Sequence, residues 1–472
     1  MTRVRRVFAR LGLTLCLAVQ ASSAAAEVTN VTVTSRTVIA DGRPFGATGS
    51  YERLTGRIEF ALDPADPHNR VIVDLEHAPR DAAGRVRFSS DLHVLRPVDP
   101  SKGNGVLLFD VANRGRRVLL GRFNRARPGP DPAVDADFGD GFLMKEGYTL
   151  VTIGWEVDVP APAFHIDAPR AQLPAGADDR LSVELVYNQR LTEALLIDDL
   201  GSRPPVIYPP VDRAGATDVL TVRDRYWDEG QVIPRDRWRF IAGDKGENSL
   251  PAGPPKIQLD GGFEPGRFYR VTYRATGALV AGAGLAAIRD AASAFRYRTD
   301  LPIHGRAAYA YGVSQTGRFL RQFLYDGFNA DERDRRVFDA LWIHIAGAAR
   351  GSFNERLAIS THGDAFRPTR FPFSDEQETD ADGTRGGLQS RYRAELRPKV
   401  FYTNTSVEYW GGGRAAALTH TSPDGTRDLT LPDNIRVYLI AGTQHGEAAF
   451  PPTSRGPGQQ LLNPTPHGHV MR

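Results

Sequence analysis

Cysteine is nearly absent: Cys16 is the only one in 472 residues. Residues 17–472 therefore carry no disulfide, thiolate nucleophile or thiolate zinc site, and their stability must come from a large apolar core. Long hydrophobic runs are also scarce. Beyond residues 11–19, no apolar run approaches the roughly 20 residues of a membrane-spanning helix. Charge of one sign is lacking as well. The formal net charge of +3 becomes −1 once the four arginines of residues 1–26 are set aside. No basic tract with interleaved aromatics stands out, so nucleic acid is not an expected partner. H-E-x-x-H spacing is missing, and Gly282 and Gly284 form no dinucleotide fingerprint with a ribose-binding acid. Neither a catalytic metal nor an organic cofactor is expected.

What is present begins with an export signal. Arg3, Arg5, Arg6 and Arg10 precede the apolar residues 11–19, and Ala24-Ala25-Ala26 offers a small-residue cleavage site before Glu27. This is the pattern of a secretory signal peptide over residues 1–26, which implies a periplasmic or secreted protein. The Arg5-Arg6-Val7-Phe8 order resembles a twin-arginine signal. Leu15 stands where a lipid-anchored Cys16 would need a small residue, so the mature chain is expected to lack a membrane anchor.

Residues 27–472 read as one domain. In residues 27–100 the pattern is all β: 28–38 and 51–62 alternate apolar and polar residues, and 71–98 reads as a further pair of strands around Asp81-Ala82-Ala83-Gly84. From residue 105 the pattern changes to continuous apolar runs at 105–111, 148–155, 306–311, 340–346, 399–403 and 436–441. Such runs suit strands buried on both faces. Helical patterns at 285–295 and 318–328 lie among them, which predicts a mostly parallel α/β sheet. Residues 156–260, rich in proline and charge, interrupt the rhythm and read as an inserted lid or cap.

One segment carries chemistry. Ala310-Tyr311-Gly312-Val313-Ser314-Gln315-Thr316-Gly317 runs an apolar strand into a serine between glycines, followed by Phe319, Leu320, Phe323 and Leu324 at helical spacing. That strand–turn–helix lifts a serine hydroxyl out of a parallel sheet. The usual elbow has glycine two residues after the serine; here Thr316 holds that place and Gly317 comes next. The bland alternative is a serine capping a helix.

A serine nucleophile needs a base and an acid to orient it. His445, in the loop Gly442-Thr443-Gln444-His445-Gly446 after a late strand, is the best-placed base, since ligands in open α/β sheets bind beyond the carboxyl ends of the strands. His344 lies inside an apolar strand and reads as a core histidine; His420, His467 and His469 sit in polar surroundings. Glu408, in Asn404-Thr405-Ser406-Val407-Glu408-Tyr409-Trp410 after the preceding strand, is the candidate acid, with Asp364 as competitor. The chain order Ser314, Glu408, His445 is that of α/β hydrolases. The oxyanion would be held by the backbone N–H of Gln315 and one from the loop Ala112-Asn113-Arg114-Gly115-Arg116, Asn113 or Arg114 being the candidates. Asp375, Glu376, Glu378, Asp380 and Asp382 lack the ligand spacing of a calcium loop and read as a solvated acidic loop.

The elbow, Ala346-Gly347-Ala348-Ala349-Arg350-Gly351-Ser352-Phe353-Asn354, the Glu408 segment, the His445 segment and Asn113-Arg114-Gly115 together resemble a family of exported bacterial and fungal proteins described as alpha/beta hydrolase domain proteins. The resemblance spans nearly the whole of residues 27–472. It implies the α/β-hydrolase fold and a Ser-Glu-His hydrolase, but no particular substrate. It also implies a long C-terminal helical region, whereas this sequence has only a few residues after Gly458-Gln459-Gln460-Leu461-Leu462-Asn463-Pro464. A truncation there would expose apolar surface beside the strand that carries His445. A small-molecule carboxylic ester is the expected substrate. The same triad would also serve acyl transfer or amide hydrolysis, and a catalytically inactive binding protein can occupy the same scaffold.

Overall fold

The computed structural model describes residues 27–126, 129, 131–159, 161–186, 191–195, 208–225, 228–241, 256–361, 370–411 and 415–446. Residues 1–26 with the expected signal peptide and Cys16, Asp364, His467, His469 and residues 458–464 lie outside them.

Strands β1 (Glu27–Val38), β2 (Tyr51–Leu62) and β3 (Val86–Pro97) form an antiparallel meander. The strand expected before Asp81 does not form. Residues 63–85 make turns and a short 3-10 helix, Leu75–His77, because Pro64, Pro67 and Pro79 withhold ladder donors. Ile72 and Leu75 plug the core from this irregular segment instead. Next come β4 (Val106–Asp110), short helices α1 (Leu119–Phe123) and α2 (Phe142–Lys145), β5 (Thr149–Ile153) and β6 (Ile166–Asp167).

The described part of the insertion is mostly β, with one short 3-10 helix, Arg235–Arg237. Strands β7 (Arg180–Val186), β8 (Leu191–Leu195), β9 (Val219–Arg223), β10 (Gln231–Ile233), β11 (Trp238–Ile241), β12 (Lys256–Phe263) and β13 (Phe268–Arg274) build two small sheets in the orders β10-β9-β13-β7 and β11-β12-β8. They share an apolar cluster that includes Val183, Leu220, Trp238, Ile257 and Val271. The expected boundary at residue 260 falls short, because Tyr269, Val271 and Tyr273 alternate inward on β13, which pairs with both β7 and β9. Leu357 and Ile359, from a segment much later in the chain, pack into the same cluster.

The remaining elements are α3 (Ala283–Tyr297), β14 (Ala307–Val313), α4 (Gln315–Tyr325), β15 (Ala340–His344), the small hairpin β16 (Glu378–Thr379) and β17 (Arg385–Gly386), β18 (Lys399–Thr405), α5 (Ser406–Trp410) and β19 (Ile435–Ile440). The large sheet has the order β1-β2-β3-β5-β4-β14-β15-β18-β19, with β6 on β3. Every pair from β5 to β19 is parallel. Alternate residues of these strands face two cores. Leu107, Phe109, Ala308, Ala310, Leu341 and Ile343 pack toward α3 and α4, whereas Leu108, Tyr311 and Val313 pack toward α1 and α2. Burial on both faces is why the strands read as unbroken apolar runs. Beside β19, Phe401, Trp410, Tyr438 and Leu439 are exposed, and the rings of Phe401 and Tyr438 stack at 5.4 Å.

Candidate active site

Parallel strands place their carboxyl ends on one edge, and three loops leave that edge together. Val313 of β14 is paired with His344 of β15, which is paired in turn with Thr403 of β18. Ser314 follows Val313 with φ 57° and ψ −113°, a left-handed conformation costly for a side chain with Cβ and held by its neighbours. Its own N–H donates to His344 O at 2.9 Å.

Glycine is required at 312 by close approach. A Cβ there would meet Thr316 O at 2.4 Å, and one on Gly317 would meet Ala346 Cβ at 2.9 Å. The departure at Thr316 has a physical reason. Its hydroxyl accepts the Val313 N–H at 2.8 Å and lies 3.1 Å from Val313 O, tying strand end to helix start.

Ser314 Oγ lies 2.9 Å from His445 Nε2, and His445 Nδ1 lies 2.5 Å from Glu408 Oε1. A carboxylate can only accept, so Nδ1 carries the proton and Nε2 is left as the acceptor facing Ser314 Oγ. Glu408 is fully buried, whereas the His445 side chain is 47% exposed. The other oxygen of Glu408 accepts the N–H and the hydroxyl of Thr405, making a capping box at the start of α5. Burial pushes the Glu408 carboxyl up, but bonds from His445 and Thr405 outweigh that and hold it below the usual range. The histidine loop is anchored by the Gly442 N–H on Ser406 Oγ at 2.9 Å and by Thr443 Oγ1 on Ile440 O at 2.6 Å.

The other histidines are placed apart from this series. His344 is buried, with Nδ1 2.8 Å from Thr403 Oγ1, and His420 Nε2 lies 3.2 Å from the Tyr409 hydroxyl. Of the acidic segment, Asp375 is buried and accepts from Gln389 Nε2, while Glu378 pairs with Arg427 beside the β16–β17 hairpin. Among the described residues no three His, Cys, Asp or Glu side chains converge on a metal position.

The expected oxyanion loop does reach the elbow, since Asn113 Nδ2 donates to Val313 O at 2.8 Å. One of its amides needs a correction, however. The Asn113 N–H is engaged by Arg116 O at 2.9 Å. The turn 113–116 holds Arg114 at φ 49°. The N–H of Gln315 belongs to the first turn of α4, where helix geometry leaves amides without intrahelical partners.

Sequence reasoning missed Glu156. It is 1% exposed on the loop after β5 and accepts a hydrogen bond from Gln315 Nε2, which also donates to Ser360 O at 2.9 Å. Asp158, also buried, accepts the N–H and hydroxyl of Thr361 at 2.9 and 2.7 Å. Burial first, then the charge of Asp158, push the Glu156 carboxyl well above its usual range. The available signal was two carboxylates directly after a buried strand that ends at the same edge as Ser314.

A mostly parallel sheet with a serine elbow at its carboxyl edge and an antiparallel N-terminal extension defines an α/β-hydrolase fold. Residues 252–469 match the family described as "Alpha/beta hydrolase domain". Similar solved structures include a glucuronoyl esterase from Solibacter usitatus, 14% identical, with a TM-score of 0.30 over 88% of this chain and 81% of that one. Another is a promiscuous CE15 esterase from a marine bacterial metagenome, 12% identical, with a TM-score of 0.26 over 89% of this chain and 84% of that one. No curated protein sequence matches the chain. The fold assignment rests on the strand order and the family match.

Proposed function

We propose that this protein is an exported serine hydrolase that cleaves small carboxylic esters. The carrying observation is the unbroken series Ser314 Oγ, His445 Nε2, His445 Nδ1, Glu408 Oε1 at 2.9 and 2.5 Å. Ser314 Oγ attacks the ester carbonyl while its proton passes to His445 Nε2. Glu408 stabilises the resulting imidazolium without taking the proton. The Gln315 N–H and the positive end of α4 hold the oxyanion against the 113–116 turn.

The imidazolium then protonates the departing alkoxide, leaving an acyl group on Ser314. A water, deprotonated by the same nitrogen, attacks that acyl carbon and releases the acid and the free serine. The half-exposed His445 side chain favours water over another alcohol as the second nucleophile. No metal or organic cofactor enters any step. Export rests on the basic, apolar and small-residue segments of residues 1–26.

The test is labelling with a fluorophosphonate probe. Wild type should be labelled at Ser314, and Ser314→Ala should abolish both labelling and hydrolysis of aryl esters. Hydrolysis that survives the substitution would overturn the assignment.

A further inference from the structure

Each group around the elbow is tied to a different part of the fold. Thr316 holds the strand end, and His344 O holds the Ser314 N–H. The Gln315 side chain is fully buried and is held from below by Glu156 Oε1 and Ser360 O. These anchors come from elements remote in sequence: Glu156 from the loop after β5, and Ser360 from the segment whose Ile359 packs into the core of the insertion. The charge of Arg114, in the 113–116 turn whose Asn113 donates to Val313 O, acts on the same carboxyl.

We propose that Glu156 is a positioning residue for acyl transfer: through the Gln315 side chain it fixes the Gln315 N–H at the oxyanion position. The inference rests on the serine-hydrolase reading above. The side chain and the amide of Gln315 share one Cα, so anchoring the first restricts rotation of the second. An oxyanion donor acts only if it is already aimed where charge develops. Loss of the anchor therefore acts on kcat and leaves ground-state binding largely unchanged.

The chemistry of the anchor is specific. Glu156 Oε2 and Gln315 Oε1 are both buried without a hydrogen-bond partner. A carboxylate has only acceptors, whereas a carboxylic acid supplies an O–H. Burial first, then the Asp158 carboxyl, disfavour ionisation of Glu156, whereas the Gln315 hydrogen bond and the charge of Arg114 favour it. In the neutral form that burial favours, the acid accepts from Gln315 with one oxygen and carries an O–H donor on the other. A glutamine at 156 has the same shape and the same donor–acceptor pair.

The experiment compares wild type with Ser314→Ala, Glu156→Ala, Glu156→Asp and Glu156→Gln. It measures the second-order rate of fluorophosphonate labelling, kcat and KM for an aryl ester, and the melting profile. Glu156→Ala and Glu156→Asp should slow labelling and lower kcat roughly 10- to 100-fold with KM within about threefold, and Glu156→Gln should restore both rates to within about threefold. Glu156→Asp keeps the acid but is too short to reach Gln315, and it carries the test if Glu156→Ala does not fold. Wild-type labelling in a folded Glu156→Ala or Glu156→Asp would overturn the proposal, as would a Glu156→Gln as slow as they are. Labelling of Ser314→Ala, or a folded wild type that does not react, would instead overturn the nucleophile and this inference with it.

Discussion

Glu408 meets His445 Nδ1 with one carboxylate oxygen, at 2.5 Å, and caps α5 through Thr405 with the other. In the proposed mechanism the acid that orients the base is thus itself oriented by a helix terminus. Replacing it with glutamine sets these duties against each other. An amide whose oxygen faces His445 turns its NH₂ onto the Thr405 N–H; the reverse orientation turns NH₂ onto Nδ1 and forces the wrong tautomer. Glu408→Gln should lower kcat by about 10³- to 10⁴-fold with little change in KM. Glu408→Ala should in addition lose about 1 kcal/mol from the missing cap. Steady-state kinetics and urea melts measure the two effects, and a Glu408→Gln within tenfold of wild type would remove the acid from the mechanism.

Gly312 is set by backbone crowding, not by its torsion angles. The 2.4 Å approach of a Cβ to Thr316 O involves main chain in α4, which no rotamer change relieves. Gly312→Ala should shift the elbow, reduce fluorophosphonate labelling by more than about tenfold and destabilise the fold by about 1–3 kcal/mol. An alanine variant that labels normally would show that the elbow is looser than this packing implies.

Trp155, just after β5, is tied to the segment that leads into the 113–116 turn. Its indole N–H donates to Ala112 O at 2.8 Å, and its ring packs on Phe319 and Phe353. Trp155→Phe keeps an aromatic ring but leaves the buried Ala112 carbonyl unpaired, which should cost about 1–3 kcal/mol. Because Ala112 precedes Asn113, labelling of Ser314 should slow as well. Unfolding by urea checks the first effect and probe kinetics the second.

The strands of the large sheet were legible because burial on both faces writes continuous apolar runs, as at Val106–Asp110 and Ala307–Val313. The Ser314–Glu408–His445 series could be read because each member follows one of those runs. The capping box at Thr405 and Glu408 was also written locally, three residues apart, although its meaning needed the histidine. Long-range pairing was not legible. Gln315 and Glu156 are 159 residues apart, and nothing near either names the other. Backbone amides such as Asn113 N–H carry no side-chain signature, so their engagement by Arg116 could not be foreseen. Residues 71–80 misled because apolar side chains that plug a core from a loop look like those of a strand.

Two buried carboxyls should give stability opposite dependences on pH. Hydrogen bonds from His445 and Thr405 hold Glu408 below its usual value of 4.5 against the effect of burial. Its contribution is present above that value and is lost as pH falls through the folded-state value. Asp110, which accepts the Val118 and Leu119 N–H groups through Oδ2, is pushed up by burial to about 6, with those bonds and the charges of Arg117 and Arg122 opposing the rise. Its folded form binds the proton more tightly than the unfolded chain does. Stability is therefore fully present below 3.8 and declines as pH rises from there to about 6, by on the order of 3 kcal/mol. Asp110→Asn mimics the protonated acid, so its melting temperature should gain on wild type between pH 4 and 6 and run parallel to it above about 6. Melts across that range decide the matter, since an Asp110→Asn that loses ground on wild type as pH rises would reverse the sign assigned to Asp110.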